Sequence, residues 1–414
     1  MKIQLPDNVQ NIIKELNDHG YAAYAVGGCV RDVLIGRIPG DWDITTSAKP
    51  AEIKQIFKRT VDTGIEHGTV TVLIKDGAYE VTTFRVDGEY KDARHPESVV
   101  FVPDLKEDLL RRDFTINAMA YNDSEGLIDL YGGIDDLKKG LIKCVGVPCE
   151  RFKEDALRML RAVRFSAQLR FEIEEDTLKA MSKLHENLSF VSEERIQTEL
   201  VKLIMSDAPE RWEQARSTFL ADMIVPELKL NDELWDQTYA ITRALKKERT
   251  LRLSAFLHEL GSEEAGRVLK RLKFDNAAIH DVTAILALKE EELPSNETEL
   301  RFLLNRAGDD IFVKSLEFKK AYYSVKNRQE AFLLIESNRK MFAQIRKRGD
   351  CTQIKDLAVN GEDLKTAGFK TGPGIGTALK QILEEVLKDP SKNDREYIIE
   401  KIIPGLVGLN MEGC

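Results

Sequence analysis

Residues 27–32 read GGCVRD, and residues 41–43 read DWD. The apolar run 24–26 before the glycines predicts a strand, and we expect a helix to begin near Val30. A glycine turn at the start of a helix offers backbone N–H groups to a phosphate, which makes Gly28 a candidate binding residue; Arg31 adds a fixed positive charge. The run fits neither G-x-G-x-x-G nor the P-loop pattern, which disfavours those two nucleotide-binding folds. The alternative is a plain strand-to-helix turn.

The DWD stretch separates two carboxylates by one residue. In an extended strand, residues i and i+2 point to the same side, so Asp41 and Asp43 can bind the same cations. Mg²⁺ prefers oxygen ligands and is usually held by one or two carboxylates together with substrate phosphates. Two such ions about 3.5–4 Å apart serve in-line phosphoryl displacement. Glu80, on a neighbouring predicted strand, is a candidate third catalytic carboxylate, with an exposed strand residue as the alternative.

Composition narrows the class of protein. The chain has 414 residues, enough for two to four domains, and its apolar fraction of 43% is ordinary for globular proteins. No apolar run predicts a membrane span, and the N-terminus lacks the apolar core of a signal peptide. Five cysteines without C-x-x-C spacing argue against a disulfide framework or a zinc site, so we expect a cytoplasmic protein.

The cationic residues are unevenly distributed along the chain, which weakens any argument from the net charge alone. A net charge of −9 argues, taken alone, against a nucleic-acid partner, because phosphate binding needs cations. The cations are clustered, however, and the position of such clusters matters more than the total. They lie at residues 111–112, 151–170, 243–252 and 339–348.

Two compositional regimes divide the chain. Residues 1–138 mix short β-rich runs with turn residues, and the runs 70–74 and 79–84 around an Asp-Gly pair predict a hairpin. From residue 139 onward helical periodicity dominates, with one such pattern at 151–169. The predicted fold class is α+β, with an N-terminal head of β-sheet and flanking helices and an elongated all-α remainder. The expected domains are a head at 1–138, a helical neck at 139–206, a helical body at 207–307 and a helical tail at 308–414.

Several segments resemble one known family, in the family's order. GGCVRD with the DWD pair resembles the first signature of the class II tRNA nucleotidyltransferases and bacterial poly(A) polymerases, which share a polymerase-β-like nucleotidyltransferase head. Residues 111–119 (RRDFTINAM), 154–158 (EDALR) and 194–200 (ERIQTEL) resemble the next motifs, and 360–376 give a weaker match. The resemblance implies metal-dependent catalysis at the DWD carboxylates and a nucleotide contact by Arg112.

The resemblance further implies that residues 154–158 select the nucleotide. Asp155 and Arg158 are three residues apart, so on one helix they lie on the same face. A carboxylate accepts from the exocyclic amine of cytosine or adenine, and a guanidinium donates to cytosine O2 and N3 or to adenine N1. The pair would then read C and A and reject G and U without a nucleic-acid template. Arg161 and Arg164 continue the helix and, by the resemblance, help to hold the nucleotide. The alternative is an ion-paired amphipathic helix.

Two segments bear on the RNA substrate. Residues 63–70 resemble the CCA-type sequence before the hairpin, where poly(A) polymerases usually carry a more basic stretch, so tRNA is the expected partner. Residues 86–96 are polar and predict a mobile loop, resembling one that CC-only enzymes lack. The expected activity is addition of C, C and A to the tRNA 3′ end from CTP and ATP, with release of pyrophosphate. An A-only or CC-only enzyme and a poly(A) polymerase are the sibling alternatives.

Other classes explain fewer of these features. A non-catalytic RNA-binding protein does not need the carboxylate pair, and nucleotidyl transfer to a small molecule does not explain the long helical remainder. The glycine-rich segment 372–376, between two predicted helices, can offer amides to an RNA phosphate or form a tight turn. His258 is interpreted as a core or surface histidine, and the oligomeric state, monomer or homodimer, stays open.

Overall fold

The computed structural model describes residues 2–74, 77–87, 99–328 and 330–406. The chain forms two compact units. The first comprises Met1–Lys229 with Arg271–Phe274, and the second comprises Leu230–Lys270 with Asp275–Cys414. All strands of the described residues lie in the first unit, and the second unit is built from helices. The predicted α+β class, a β-sheet head followed by helices, is confirmed, whereas the division into neck, body and tail stays a prediction.

The strands of the first unit form one large sheet and two small ones. They are β1 (Ala23–Val26), β2 (Ile44–Thr46), β3 (Thr60–Gly64), β4 (Thr69–Ile74), β5 (Gly77–Thr83), β6 (Arg85–Asp87), β7 (Val99–Phe101), β8 (Met119–Asn122), β9 (Gly126–Asp129), β10 (Leu141–Ile142) and β11 (Glu172–Ile173). The large sheet has the order β3-β4-β5-β2-β1-β8-β9, and only its β2–β5 pair is parallel. Strand β6 pairs with β7, and β10 pairs with β11.

The helices of the first unit flank this sheet and then continue the chain. They are α1 (Asp7–Asp18), α2 (Gly28–Leu34), α3 (Pro50–Ile56), α4 (Leu105–Leu110), α5 (Gly133–Lys139), α6 (Pro148–Glu154), α7 (Leu157–Leu169), α8 (Glu175–Leu184), α9 (Glu193–Ile204), α10 (Glu213–Ser217) and α11 (Leu220–Ile224). Short 3₁₀ turns occur at Ile65–His67, Thr115–Asn117, His185–Phe190 and Pro209–Trp212.

The predicted strand before the glycines is confirmed as β1, an interior strand of the large sheet between β2 and β8. All four of its residues are buried. Ala23 and Ala25 belong to a core cluster shared with α1, whereas Tyr24 and Val26 belong to a second cluster on the other side, with Phe84. Because side chains alternate between the faces of a strand, and both faces are covered here, β1 is apolar throughout. The glycine pair is thus anchored at the end of a fully buried strand of the head.

The predicted hairpin is confirmed, but the strand predicted for the DWD pair is wrong. Strands β4 and β5 pair antiparallel, with Ile74 opposite Gly77. Strand β2 begins only at Ile44, so both aspartates precede it. The backbone carbonyl of Asp43 still accepts from the amide of Val26 at 3.0 Å, which fixes the pair beside the end of β1. The predicted loop at 86–96 falls almost entirely outside the described residues.

The continuous helix predicted from residue 151 to 169 is also wrong. Helix α6 ends at Glu154, and Asp155 has an extended backbone, with φ −144° and ψ 104°. The Asp155 carboxylate accepts from the amide of Leu157 at 3.1 Å, where α7 begins. Aspartate side chains compete in this way with helical backbone bonds, and they favour helix starts over helix interiors. Asp155 and Arg158 therefore do not share a helix face.

The second unit consists of helices. They are α12 (Asp232–Ala244), α13 (Arg249–Leu257), α14 (Gly261–Arg271, whose last residue is assigned to the first unit), α15 (Asn276–Glu290), α16 (Glu297–Ala307), α17 (Asp309–Val325), α18 (Glu330–Arg348), α19 (Gly361–Thr366), α20 (Pro373–Lys388) and α21 (Arg395–Tyr397), with a π-helical turn at Ile398–Ile402 and 3₁₀ turns at His258–Leu260, Ile354–Asp356 and Pro390–Lys392. His258 is fully buried beside the rings of Phe318 and Tyr322, which makes it a core histidine. The glycine-rich segment 372–376 opens α20. Among the described residues, no helix is both long and apolar enough to cross a membrane.

Replacing Gly133 by Ala is expected to lower the free energy of unfolding of the first unit by about 1–3 kcal/mol, the usual cost of overpacking. A Cβ at Gly133 would lie 2.3 Å from the backbone oxygen of Thr115. Urea unfolding followed by a first-unit probe measures the change. Gly40→Ala is the control, because a Cβ there meets nothing within 4 Å. Equal stabilities of the two variants would contradict the expected clash.

Candidate active site

The glycine turn between β1 and α2 requires glycine for two reasons. Gly27 caps α2 with φ +84° and ψ −132°, a conformation that side chains disfavour. A Cβ at Gly27 would also lie 3.1 Å from Nη1 of Arg112. Gly28 is the first residue of α2, two residues earlier than the predicted start at Val30. The turn therefore brings the start of α2 close to a guanidinium, an arrangement suited to an anion.

Asp41 and Asp43 lie just before β2, and Glu80 lies within the parallel strand β5 beside it. Ile44 of β2 pairs with Val81 of β5, so the preceding residues, Asp43 and Glu80, occupy matching positions. Desolvation by the surrounding protein, and next the charge of Asp41, raise the pKa of Asp43 to about 6, against a lowering by Arg112 and with a further increase from Glu80. The structure thus brings together the carboxylates that the sequence singled out.

The donor set fits Mg²⁺ that arrives with a nucleotide. Within the described ranges, no group of three or more His, Cys, Asp or Glu side chains could hold a metal ion by itself. Mg²⁺ is commonly held by one or two carboxylates, with substrate phosphates and water completing its shell. Asp41 and Asp43 match that pattern. A role of Glu80 as a third ligand stays a prediction.

Arg112 is held over the glycine turn by a buried carboxylate. Its Nη2 donates to Asp108 at 3.2 Å, and Arg111 donates to the other oxygen of Asp108 at 2.7 Å. Burial alone would raise the pKa of Asp108, but Arg112 and Arg111 hold it below the ordinary value. The Nε of Arg112 is buried and has no hydrogen-bond partner in the described part of the chain. Arg112 therefore keeps a donor for a further ligand.

Arg31 points into the protein. Its side chain donates to Asp32 at 2.8 and 2.9 Å and to the side-chain oxygen of Asn117 at 2.7 Å. It also lies 5.0 Å from the ring centre of Phe165. These contacts link α2 to the RRDFTINAM segment and to α7. A contact between Arg31 and a phosphate stays a prediction.

Arg161 and Arg164, on α7, each pair with a buried carboxylate. Arg161 donates to Asp113 at 2.6 and 2.8 Å, and Arg164 lies 2.5 Å from Glu199 of α9. Burial, against a raising effect of Glu199, lowers the pKa of Arg164 to about 10. The guanidinium groups lie 5.4 and 3.8 Å from the ring centre of Phe165. The two arginines are thus held by the protein before any ligand binds.

Asp155 and Arg158 do not bind each other. Both oxygens of Asp155 accept from Arg195 of α9, at 2.7 and 3.2 Å. Arg158 donates to Glu154 at 2.5 Å and to the backbone oxygen of Arg111 at 2.8 Å. The second contact connects residues 154–158 with the RRDFTINAM segment. The two side chains are held separately, and their predicted role in base recognition stays a prediction.

The partners that hold these groups were not predicted from the sequence. Asp113, Arg195 and Glu199 lie inside motifs that the sequence singled out, whereas Asp108 lies just before one. The partners of Asp113 and Arg195 are distant in sequence, by 48 residues for Arg161 and Asp113 and by 40 for Arg195 and Asp155, whereas Arg111 and Arg112 follow Asp108 within one helical turn. The sequence signal that could have found Arg195 and Glu199 is a charged residue inside a helix that also carries apolar residues.

A depression on the surface of the first unit lies between α7 and α9. Its volume is about 580 Å³, and its lining includes Leu157, Arg161, Arg195 and Thr198. One wall therefore carries the guanidinium that binds Asp155. A ligand in the depression can reach the selecting segment from the solvent.

Comparison with known proteins assigns the chain to a family. Models of the poly(A) polymerase head domain, of a probable RNA and SrmB-binding site of polymerase A, and of tRNA nucleotidyltransferase domain 2 match residues 23–143, 170–231 and 246–402. A CCA-adding enzyme of Latilactobacillus sakei is 42% identical over 400 residues, which cover 94% of this chain and 96% of the relative. The chain belongs to the family of CCA-adding enzymes. The resemblance found in the sequence is confirmed.

Further CCA-adding enzymes match along nearly the whole chain. That of Pediococcus pentosaceus is 37% identical, with 96% of this chain and 97% of the relative covered. The crystal structure of the Bacillus stearothermophilus CCA-adding enzyme in complex with CTP matches with a TM-score of 0.79 and 33% identity, covering 99% of both chains. The Thermotoga maritima CCA-adding enzyme complexed with tRNA, at 24% identity and a TM-score of 0.64, shares the fold.

Replacing Gly27 by Ala is expected to lower kcat/KM for nucleotide incorporation roughly tenfold or more, because small displacements of positioning groups are costly in catalysis. The new methyl group would press on Arg112. Gly36→Ala is the matched control: Gly36 also has a positive φ, +74°, but a Cβ there meets nothing within 4 Å. Both variants carry backbone strain, so an equal loss of activity in both would contradict a role for the Arg112 contact.

Asp43→Asn is expected to raise the unfolding temperature of the metal-free protein near pH 8. The pKa of Asp43 in the folded chain is about 6, above the ordinary value of roughly 4 in an unfolded chain. An ionised carboxyl with a raised pKa destabilises the fold, and the effect vanishes where both states are protonated. The gain should therefore shrink as the pH falls through 6 toward 4.

Thermal unfolding in the presence of a chelator, across this pH range, measures the effect. Asp135→Asn is the control, because the side chain of Asp135 is 75% exposed. It should show no pH-dependent gain. A gain from Asp43→Asn that stays constant at all pH values would contradict the raised pKa.

Proposed function

We propose that this chain adds C, C and A to the 3′ end of tRNA, using CTP and ATP and no nucleic-acid template. The observation that carries the proposal is the placement of Asp43 among Asp41, Glu80 and Arg112, beside the Gly27 turn. Such a site can bind a nucleotide together with a metal ion. The relatives that match nearly the whole chain are CCA-adding enzymes.

The proposed reaction is an in-line displacement. The terminal tRNA hydroxyl attacks the α-phosphate of CTP or ATP, a new phosphodiester bond forms, and the bond to pyrophosphate breaks. Asp41 and Asp43 would hold Mg²⁺; when bound, one ion would lower the pKa of the attacking hydroxyl and a second would stabilise the leaving pyrophosphate. The backbone amide of Gly28 and the guanidinium of Arg112 bind the triphosphate.

Base selection is assigned to the segment between α6 and α7. Asp155 accepts from the N4 amine of cytosine or the N6 amine of adenine, and Arg158 donates to the pairing edge of the same base. Arg161 and Arg164 hold the nucleotide, and their fixed pairing with Asp113 and Glu199 supports this role. Such a site rejects a base that lacks the amine, because it leaves a polar group unpaired.

Three further points belong to the proposal. The scattered cysteines support a cytoplasmic location, and the four described ones are free thiols. The tail, residues 308–414, is proposed as the tRNA-binding part of the chain, with the segment 372–376 as a contact to RNA phosphate. A full CCA activity is favoured over A-only or poly(A) synthesis, since the relatives that match are CCA-adding enzymes.

One experiment separates the sibling activities. Three tRNAs, ending before CCA, after the first C and after the second C, are offered CTP and ATP separately. A CCA-adding enzyme extends the first two with CTP and only the third with ATP. Extension of the third alone identifies an A-only enzyme, long A tails identify a poly(A) polymerase, and no extension with Mg²⁺ present favours a non-catalytic RNA-binding protein.

Asp41→Ala is expected to abolish incorporation in this assay, with a loss of at least roughly a thousandfold, because metal-assisted charge stabilisation is removed. Binding of tRNA, measured by filter retention, should stay nearly unchanged. Asp135→Asn, on the exposed side of α5, is the control and should retain full activity. Incorporation by Asp41→Ala at the unaltered rate would refute the metal assignment.

A further inference from the structure

We propose that Arg195 of α9 is a specificity-determining positioning residue, which fixes the direction in which Asp155 can accept a hydrogen bond. The inference rests on the proposed function, because it deepens the role of Asp155 in base selection. Arg195 touches neither the base nor the reacting atoms in this account. It acts through the carboxylate that it binds.

The hydrogen bonds of Asp155 leave one acceptor position. A carboxylate offers about four lone-pair positions, two on each oxygen. Oδ1 accepts from Nη1 of Arg195 at 3.2 Å and from the amide of Leu157 at 3.1 Å. Oδ2 accepts from Nη2 of Arg195 at 2.7 Å. Among the described contacts, the remaining position is therefore on Oδ2.

One free acceptor position matches the chemistry of the selected bases. Cytosine and adenine each present one exocyclic amine at the corresponding edge, whereas uracil and guanine present a carbonyl oxygen there. An oxygen facing the free position of Oδ2 meets another acceptor, which is repulsive and leaves both groups unpaired. The forked contact with Arg195 removes the rotational freedom that would let the carboxylate avoid this mismatch.

Helix α9 is itself held against the selecting helix. Glu199, one turn after Arg195, pairs with Arg164 of α7 at 2.5 Å and lies 4.0 Å from Arg161. Residues four apart lie on the same helix face. The same face of α9 thus supplies the Arg195 guanidinium to Asp155 and the Glu199 carboxylate to Arg161 and Arg164 of α7. Arg195 lines the depression between the two helices, where a ligand can reach it.

The test measures selectivity, since a merely structural role would not change it. The ratio of kcat/KM for CTP over UTP is measured on tRNA lacking CCA, and that for ATP over GTP on tRNA ending in CC. Arg195→Gln is expected to lower both ratios about tenfold or more. Arg195→Lys keeps the charge without the fork and should show a smaller loss. Lys202→Gln, at an exposed position of α9, should leave both ratios unchanged.

The ratios are independent of the fraction of folded enzyme, because both substrates are measured on the same preparation. If Arg195→Gln does not fold, the ratios of Arg195→Lys decide, and unaltered ratios overturn the inference. Unaltered ratios in a folded Arg195→Gln variant also overturn it.

A double-variant cycle tests whether Arg195 acts through Asp155. Asp155→Ala should lower the ratios, and adding Arg195→Gln should lower them no further, because coupled residues are not additive. Two independent losses that multiply would overturn the inference. Failure of the unaltered chain to extend tRNA would overturn the proposed function itself. If both the unaltered chain and the Arg195→Gln variant prefer C and A over U and G equally, only the present inference is overturned.

Discussion

The pairing of guanidinium groups with carboxylates in the first unit is the interaction on which the site depends. A guanidinium cannot lose its proton near neutral pH, so one that is taken out of water needs a counter-charge. Removing one partner of a buried pair typically costs about 3–5 kcal/mol. The pairs join Arg111 and Arg112 to Asp108, Arg161 to Asp113, and Arg164 to Glu199. Each arginine offered to a nucleotide is thereby fixed in direction before the nucleotide arrives.

The contacts of these arginines also connect elements that are distant in sequence. Phe165 of α7 has three guanidinium groups within 5.4 Å of its ring centre, and one of them comes from Arg31 at the glycine turn. Asn117 binds both Arg31 and Asp113, so the turn, the RRDFTINAM segment and α7 form one hydrogen-bonded chain. The candidate carboxylates and the segment 154–158 thus belong to one compact unit.

Local patterns were enough to predict the strand β1, the hairpin and the helical remainder, because periodicity and turn residues act over a few positions. They also singled out the residues of the candidate site. They failed where a side chain competes with the backbone, as Asp155 does at the start of α7, and where β2 begins one residue after Asp43. The carboxylate that pairs with Arg161 could not be predicted from local patterns. It is Asp113, which is tens of positions away in sequence and is brought close only by the fold.

The break between α6 and α7 keeps Asp155 and Arg158 from pairing with each other. On one continuous helix, a carboxylate and a guanidinium three positions apart attract each other and form an ion pair. Such a pair would occupy the acceptor and the donors that base recognition needs. In this chain Asp155 leaves the helix and binds Arg195, while Arg158 binds Glu154 and a backbone oxygen. The departure from regular helix at Asp155 therefore keeps the two groups separate, and such local irregularity is expected at a functional site.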